Sequence, residues 1–133
     1  MRIGAAAVAL DRAGRVLLVE DRHEGERHFA LPGGSVESGE TPKEAAAREL
    51  AEECGVAAVI GDFLGVYVSM SYAFASFVFL ATVADGVELR PNMNEVLGAS
   101  WCEPGRLPQP RRTITSAALA DALAGVRGVY REV

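Results

Sequence analysis

Apolar positions in the first part of the chain predict a β-hairpin followed by loops. The apolar runs Gly4–Leu10 and Arg15–Glu20 flank the turn residues Asp11–Gly14, as expected of two paired strands. The polar stretch Asp21–His28 is predicted to be a loop. The Gly- and Pro-rich stretch Phe29–Glu40 is predicted to be a second loop, of a kind that packs little but can approach a ligand closely.

Capping residues predict a helix between Thr41 and Gly55. Thr41 is a suitable N-cap, Pro42 suits the first helical position, and Glu44 completes a capping box with Thr41. The body is rich in Ala, Glu and Leu, which favour helix, and Gly55 is the expected stop. On a helical wheel, one side carries residues that are predicted to face the core: Ala47, Leu50, Ala51 and Cys54.

Apolar segments rich in β-branched and aromatic residues predict strands in the second half of the chain. Phe63–Met70 and Phe74–Val83 are expected to pair around Ser71 and Tyr72, and Val96–Cys102 is a shorter strand. Together with the first helix, these strands predict an α/β fold in which a mixed sheet lies between helices.

A last helix is predicted over roughly Ser116–Leu123, with Thr113 or Thr115 as its cap. Its apolar positions are expected to point inward: Ala117, Leu119, Ala120 and Leu123. With no repeat or linker along the chain, residues 1–133 are interpreted as one domain.

Three glutamates share the side of the first helix that lies opposite its predicted apolar side. Glu49, Glu52 and Glu53 stand at positions i, i+3 and i+4, where like charges repel by roughly 0.2–0.5 kcal/mol per pair. They also lie in the last turns, where the helix dipole prefers cations. The small residues Ala45 and Ala46 lie beside them, so the carboxylates are expected to have little steric cover. A cluster that two local rules disfavour indicates a functional site.

Composition and charge narrow the class of ligand. Half of the 133 residues are apolar and the formal net charge is −5, which disfavours a protein that grips a nucleic-acid polymer through a basic face. A small phosphate ester carried with a metal ion is compatible with this charge. Two cysteines form neither a disulfide framework nor a metal-ligand pattern. No stretch reaches the ~20 apolar residues that a membrane span needs, so the chain is expected to be cytoplasmic and to have no membrane partner.

The segment Gly34–Val56, GSVESGETPKEAAARELAEECGV, resembles the signature of the Nudix hydrolase family, to which MutT-like proteins belong. That signature is Gly, five residues, Glu, seven residues, and then Arg-Glu-aliphatic-any-Glu-Glu-any-Gly-aliphatic. Every required position is filled here: Gly34, Glu40, Arg48, Glu49, Leu50, Glu52, Glu53, Gly55 and Val56. The resemblance implies the family's α/β/α sandwich and hydrolysis of a diphosphate linked to another group, with Mg²⁺ or Mn²⁺ as cofactor. Hard divalent cations prefer oxygen ligands, which explains how an acidic patch can accept an anionic pyrophosphate.

Residue roles are implied by matching positions to the family's motif. The implied metal ligands are the backbone carbonyl of Gly33 and the side chains of Glu49, Glu52 and Glu53. Arg48 is implied to orient the glutamates through charge-assisted hydrogen bonds, and Glu40 to support the loop or to contact a metal through water.

The proton-accepting group varies across the family. Some members use a glutamate of the signature, and others use a glutamate on a later loop. Glu53 and Glu95 are kept as alternatives, because Glu95 lies six residues before Trp101, where such a loop acid could lie. Arg48 and Glu52 complete the candidate catalytic set.

Substrate contacts are assigned by position alone. The candidates are Arg22, Arg27 and Phe29 in the early loop, with Tyr67, Tyr72 and Phe74 in the strand hairpin. His23 and His28 are expected at the loop surface or on the substrate side rather than as metal ligands. Some family members that hydrolyse diadenosine polyphosphates carry a tyrosine near the position of Tyr72, while an ordinary hairpin aromatic is the simpler interpretation.

The predicted function is metal-dependent cleavage of a phosphoanhydride bond in a nucleoside diphosphate derivative or a nucleoside triphosphate. The alternative is a catalytically silent nucleotide-binding or regulatory module of the same fold. Such modules usually lack a signature acid, and none is missing here. Pairing of two chains as a homodimer is implied only by the family.

Overall fold

Eight β-strands and two α-helices form most of the chain. The structure, a computed structural model, describes residues 1–133. In chain order the elements are β1 Arg2–Leu10, β2 Val16–His23, β3 Glu26–Ala30, β4 Gly33–Ser35, α1 Pro42–Cys54, β5 Ala58–Ser69, β6 Phe74–Val83, β7 Gly98–Cys102, α2 Thr113–Leu123 and β8 Val129–Glu132. A short 3-10 helix, Pro104–Arg106, precedes α2.

The strands form one mixed sheet. Its order is β3-β2-β1-β6-β5-β8, with β4 also paired to β1 and β7 also paired to β2. The pairs β1–β6 and β5–β8 are parallel, and the remaining pairs are antiparallel. Strand β1 is therefore central, and the short strand β4 runs beside its first half.

Alternating side chains of β1 divide the core into two layers. Ala7 belongs to the cluster that contains Leu50 of α1, whereas Val8 belongs to the cluster that contains Leu119 of α2. Because successive residues of a strand point to opposite faces, the two helices cover opposite faces of the sheet. Burying a side chain such as Leu50, which is 0% exposed, contributes roughly 1.5–3 kcal/mol. The predicted α/β/α sandwich is confirmed.

The predicted loop Asp21–His28 is instead a hairpin. Strand β2 continues to His23, and β3 begins at Glu26. Between them Glu24 and Gly25 have φ angles of 52° and 80°, the paired positive values that match the twist of two-residue hairpins. The sequence pattern does not predict these strands, because the segment is rich in charged residues. It also does not predict strand β8, which pairs with β5.

The predicted caps of α1 are confirmed, and its predicted orientation is confirmed only in part: Leu50 and Cys54 are fully buried, as expected. Thr41 and Glu44 form the reciprocal capping box, and Gly55 adopts the left-handed conformation at the C-terminal end. Ala51 is exposed, whereas Ala45 and Ala46 are fully buried against Ala5 of β1. These small side chains allow close approach between helix and sheet, which turns the glutamate side toward the protein rather than toward solvent.

Helix α2 starts earlier than predicted, and neither threonine caps it. Its N-cap is Arg112, which makes no side-chain capping bond. Thr115 instead lies in the first turn, 3% exposed, where its Oγ1 accepts a hydrogen bond of 3.0 Å from the backbone N–H of Leu31. Of the positions expected inward, Leu119 is buried, whereas Leu123 is 47% exposed and Ala120 is exposed. Neither helix combines the length and apolar character that crossing a bilayer requires.

Thr115→Val is expected to lower the free energy of unfolding by about 1–3 kcal/mol, because the similar shape of Val leaves the buried N–H of Leu31 without an acceptor. The measurement is urea denaturation of the wild type and the variant. Thr115→Ser keeps the acceptor and serves as the control, with a smaller loss. Equal stability of the Val variant and the wild type would contradict a role for this bond.

Candidate active site

Arg48 connects helix α1 to the loop that precedes it. Its Nε and Nη2 donate to Oε2 and Oε1 of Glu40 at 3.0 and 2.7 Å, and Nη2 also donates to the carbonyl of Ser35 at 3.0 Å. Its Nη1 donates to Glu49 at 2.9 Å and to Glu52 at 3.1 Å. The two-pronged bond lowers the pKa of Glu40 below its usual range and raises that of Arg48. Arg48 therefore offsets part of the carboxylate repulsion and fixes the positions of three acids.

Glu95 joins two glutamates of α1 in an acidic cluster. Carboxylate oxygens of Glu49, Glu52 and Glu95 all lie within 4.8 Å of one another. The loop that carries Glu95 is held on the end of α1, where the N–H groups of Arg90 and Asn92 donate to the carbonyls of Cys54 and Glu53 at 2.8 and 3.0 Å. These bonds satisfy carbonyls that a helix end leaves unpaired, and they bring a residue distant in sequence into the site.

Glu53 lies apart from this cluster and holds the glycine loop. Its Oε1 accepts a hydrogen bond of 2.7 Å from the N–H of Gly33. Both glycines of this loop need their small size, because a Cβ on Gly33 would meet the carbonyl oxygen of Ala5 at 2.5 Å and one on Gly34 would meet Oε1 of Glu49 at 2.5 Å. Strand β4 is thus packed tightly against both β1 and the glutamate side of α1.

Burial changes the protonation of two glutamates. Burial raises the pKa of Glu53 to about 8, with further contributions from the negative charges of Glu49, Glu95 and Asp21, against the opposing bond from Gly33. Burial also raises the pKa of Glu49, which Arg48 partly opposes. A carboxylate whose pKa lies closer to neutral pH than the ordinary value is better suited to proton transfer.

A cavity of about 410 Å³ opens beside the glycine loop. Its walls come from five parts of the chain: β1, the hairpin of β2 and β3, the loop and strand around Gly33–Ser35, the turn between β5 and β6, and the start of α2. Tyr72, Phe74, His23 and His28 supply rings, and Arg2, Asp21, Arg111 and Arg112 supply charged groups. The glutamates of the site do not line this cavity, but Gly33 and Gly34 do, and these two glycines lie against Glu53 and Glu49, so the cavity adjoins the glutamate site.

Of the proposed substrate contacts, Tyr72 and Phe74 line this cavity, whereas Arg22, Arg27 and Phe29 do not. Strand alternation is the reason, because Asp21, His23 and His28 face the cavity while their neighbours point away. Arg27 pairs with Glu20 at 2.7 Å, and Phe29 packs with the core on the α2 side. Tyr67 is 0% exposed and donates to Asp121 at 2.9 Å, so it is a core residue.

Asp21, Arg111 and Arg112 were missed as cavity residues. Asp21 was assigned to a loop, and the two arginines follow a proline-rich connection with no periodic pattern. Period-2 alternation around the turn at Gly25 is the signal that could have placed Asp21 beside His23.

Comparison with known proteins agrees with this geometry. The NUDIX domain family model matches residues 1–123. The chain belongs to the Nudix family. It is 33% identical over 105 residues to a Bacillus subtilis (strain 168) protein whose name gives 8-oxo-dGTP diphosphatase as a proposed activity, covering 79% of this chain and 68% of that protein. It is also 30% identical over 123 residues to a MutT-like protein of Streptomyces ambofaciens, covering 92% and 77%.

The solved structures agree on the fold. A Nudix hydrolase from Nitrosomonas europaea superposes with a TM-score of 0.85 at 18% identity, covering 99% of this chain and 78% of that chain. The predicted family and the prediction of a Nudix-type pyrophosphohydrolase are confirmed. Nudix proteins generally depend on divalent metal ions, and the acidic cluster on α1 is the corresponding feature here.

Without metal, the free energy of unfolding of the Glu53→Gln variant is expected to increase relative to that of the wild type as the pH rises. The pKa of Glu53 rises from 4.5 in the unfolded chain to about 8 when folded, so between these values the folded state binds more protons and wild-type stability falls with increasing pH. Gln keeps the shape and the bond acceptor without the charge. We expect a relative gain on the order of 2 kcal/mol between about pH 5 and about pH 8.

The measurement is urea denaturation with a chelator at both pH values. Glu88→Gln, which removes an exposed acid from the loop after β6, is the charge-matched control and should give a small, pH-independent difference. A difference for Glu53→Gln that did not change with pH would contradict the raised pKa.

Proposed function

We propose that this Nudix hydrolase cleaves a phosphoanhydride bond in a nucleoside diphosphate derivative or a nucleoside triphosphate, with Mg²⁺ or Mn²⁺ as cofactor. The observation that carries the proposal is the position of the acidic cluster Glu49, Glu52 and Glu95, which adjoins a cavity large enough for part of a nucleotide. The activity named for the Bacillus subtilis relative acts on a nucleoside triphosphate, in agreement with this assignment.

The donor chemistry of the site fits a hard divalent cation. The cluster offers carboxylate oxygens alone, which suit Mg²⁺ or Mn²⁺ rather than metals that prefer nitrogen or sulfur. We propose Glu49, Glu52 and Glu95 as the primary ligands, with the carbonyl of Gly33 as a neighbouring donor. When bound, such an ion polarises a phosphoryl group and offsets the charge of the phosphates.

The protein's own residues then position the reacting groups. Arg48 holds Glu49 and Glu52 in place through hydrogen bonds of 2.9 and 3.1 Å, and its charge persists at every relevant pH. Glu40 fixes Arg48 through its two-pronged bond. The diphosphate of the substrate is placed beside Gly33 and Gly34, the two residues that line the cavity and also lie against the glutamates.

We propose Glu53 as the base and Glu95 as a ligand, a choice that the sequence alone left open. The Oε1 of Glu53 is anchored by the Gly33 N–H, so the other oxygen, Oε2, is oriented and takes no part in that bond. A pKa of about 8 in the metal-free protein makes this carboxylate a stronger base than an ordinary glutamate. Glu95 is grouped with Glu49 and Glu52 instead.

The substrate is proposed to be a small molecule and not a nucleic-acid polymer or a membrane component. The net charge of −5 disfavours extended contact with a phosphate backbone. A cytoplasmic location and pairing as a homodimer stay predictions, the second of which sedimentation in solution would test.

Wild-type protein is expected to release phosphate or pyrophosphate from at least one member of a panel of nucleoside triphosphates, nucleotide sugars, ADP-ribose and dinucleoside polyphosphates, and only with a divalent cation present. Glu52→Gln should raise the Mg²⁺ concentration for half-maximal rate by at least about tenfold, as loss of metal-site contacts does. Its side chain is 44% exposed, so folding should persist. Glu88→Gln is again the control, and metal-independent turnover would refute the proposal.

Glu53→Gln and Glu95→Gln should separate the base from the ligand. Loss of the base should lower kcat by about 10²–10⁴ at saturating Mg²⁺ with little change in the Mg²⁺ requirement. Loss of the ligand should mainly raise the Mg²⁺ requirement. The readout is kcat against Mg²⁺ concentration for each variant, and the reverse pattern would assign the base to Glu95.

A further inference from the structure

The cavity wall contains polar atoms that the protein leaves without partners. Oδ1 of Asp21, Nε2 of His23 and Nε of Arg112 are buried and have no hydrogen-bonding partner within the protein. Buried donors and acceptors are nearly always paired, because leaving one unpaired is unfavourable. Three such atoms on one cavity wall, none used in the proposed metal site, indicate a place where a ligand supplies the missing partners.

The two charged members of this group form a loose ion pair. Nη2 of Arg112 donates to Oδ2 of Asp21 at 3.2 Å, a single bond between residues 91 positions apart. The side chains remain 34% and 25% exposed. A ligand can therefore reach the pair from the cavity. The two unpartnered atoms are themselves covered, so the side chains must turn to present them, at the cost of this one hydrogen bond.

The chemistry of the pair selects the kind of ligand. A carboxylate only accepts hydrogen bonds and a guanidinium only donates them, so together they match an edge on which an N–H lies beside a carbonyl oxygen or a ring nitrogen. Nucleobases carry such edges. At Asp21 itself a phosphate fits less well than an N–H group, because a carboxylate repels an anion and has no proton to donate to it.

The surrounding rings suit a flat ligand. The rings of His23 and Tyr72 lie edge to face with centroids 4.7 Å apart, and the guanidinium of Arg2 lies 5.2 Å from the centre of the Phe74 ring. Aromatic and guanidinium planes are the groups on which bases stack. All four residues line the same cavity as Asp21 and Arg112.

We propose that Asp21 and Arg112 bind the hydrogen-bonding edge of the substrate's nucleobase, with His23 and Tyr72 beside it, and so determine which substrates are accepted. Asp21 accepts from an N–H of the base, and Arg112 donates to the neighbouring acceptor. The base lies at this end of the cavity while the phosphates lie at Gly33 and Gly34. This inference rests on the proposed function and names its substrate class as base-bearing nucleotides rather than sugar or polyol diphosphates.

Asp21→Asn tests the proposal with four nucleoside triphosphates, carrying guanine, adenine, cytosine and uracil, and with ribose 5-triphosphate as the base-free analogue. Wild type should prefer at least one nucleotide to the analogue by about tenfold or more. The variant should lose about tenfold in kcat/KM on preferred nucleotides, because the neutral amide oxygen accepts a weaker hydrogen bond than the carboxylate does. Its rate on the analogue should stay within about twofold, since the phosphate site is intact.

Glu26→Gln, which removes an exposed acid from the same hairpin, is the matched control and should leave all five rates unchanged. Arg112→Gln is the second variant and should show the same selective loss if Asp21→Asn does not fold, which thermal melting would reveal. Equal losses on nucleotides and analogue, or a wild type that prefers the analogue, would overturn the inference.

Failure of the proposed function is a separate outcome. If wild type hydrolyses none of these compounds, calorimetric titration with the same ligands in Ca²⁺ decides the question of base recognition. Nucleotide binding that exceeds analogue binding and that Asp21→Asn weakens would support the inference without turnover. Equal binding of nucleotides and analogue would refute it.

Discussion

The ion pair between Arg48 and Glu40 is the contact on which the acidic site depends. Glutamates on consecutive turns of α1 repel one another, and burial of Glu49 adds to the cost of its charge. Arg48 donates to three of the acids at once and to the carbonyl of Ser35. Because an arginine keeps its charge at any accessible pH, the arrangement persists without a metal ion. One guanidinium cannot balance all the surrounding carboxylates, and the remaining negative charge is what we propose a divalent cation neutralises.

Small residues convert this charge arrangement into a defined shape. Ala45 and Ala46 let α1 approach β1, Gly33 lets β4 approach β1, and Gly34 leaves room for the carboxylate of Glu49. The same close approach removes Glu53 from water and raises its pKa. The small residues on α1 therefore account both for the close packing and for the raised pKa. A bulkier helix face would hold the glutamates farther from the loop and leave them solvated.

Local signals in the sequence were sufficient for α1, whereas contacts between distant segments were not predictable. The caps at Thr41 and Gly55 depend on neighbours within four residues, and they were predicted correctly. The rotation of α1 depends on Ala5 of β1, which a helical wheel does not contain. Thr115 is a residue type that often caps helices, but its hydroxyl oxygen accepts a hydrogen bond from the backbone N–H of Leu31, 84 residues away in the sequence. Glu95 could be named as a candidate, but its place beside Glu49 and Glu52 depends on backbone bonds from Arg90 and Asn92 to the end of α1.

The same distinction, between local signals and contacts of distant segments, separates the residues proposed for the reaction from those proposed for substrate selection. The residues proposed to hold a cation and to position it come mainly from one segment of 23 residues, Gly34–Val56. Their relative positions follow from helix geometry and a short loop, so a linear motif can describe them. The cavity wall combines Asp21 of β2, Tyr72 of a hairpin turn and Arg112 at the start of α2. None of the three lies on the helix that carries the acids, although the charge of Asp21 contributes to the raised pKa of Glu53. One scaffold can thus combine the same reaction with different substrates. For this reason the sequence motif indicates the reaction, whereas inferring the substrate requires the structure of the cavity.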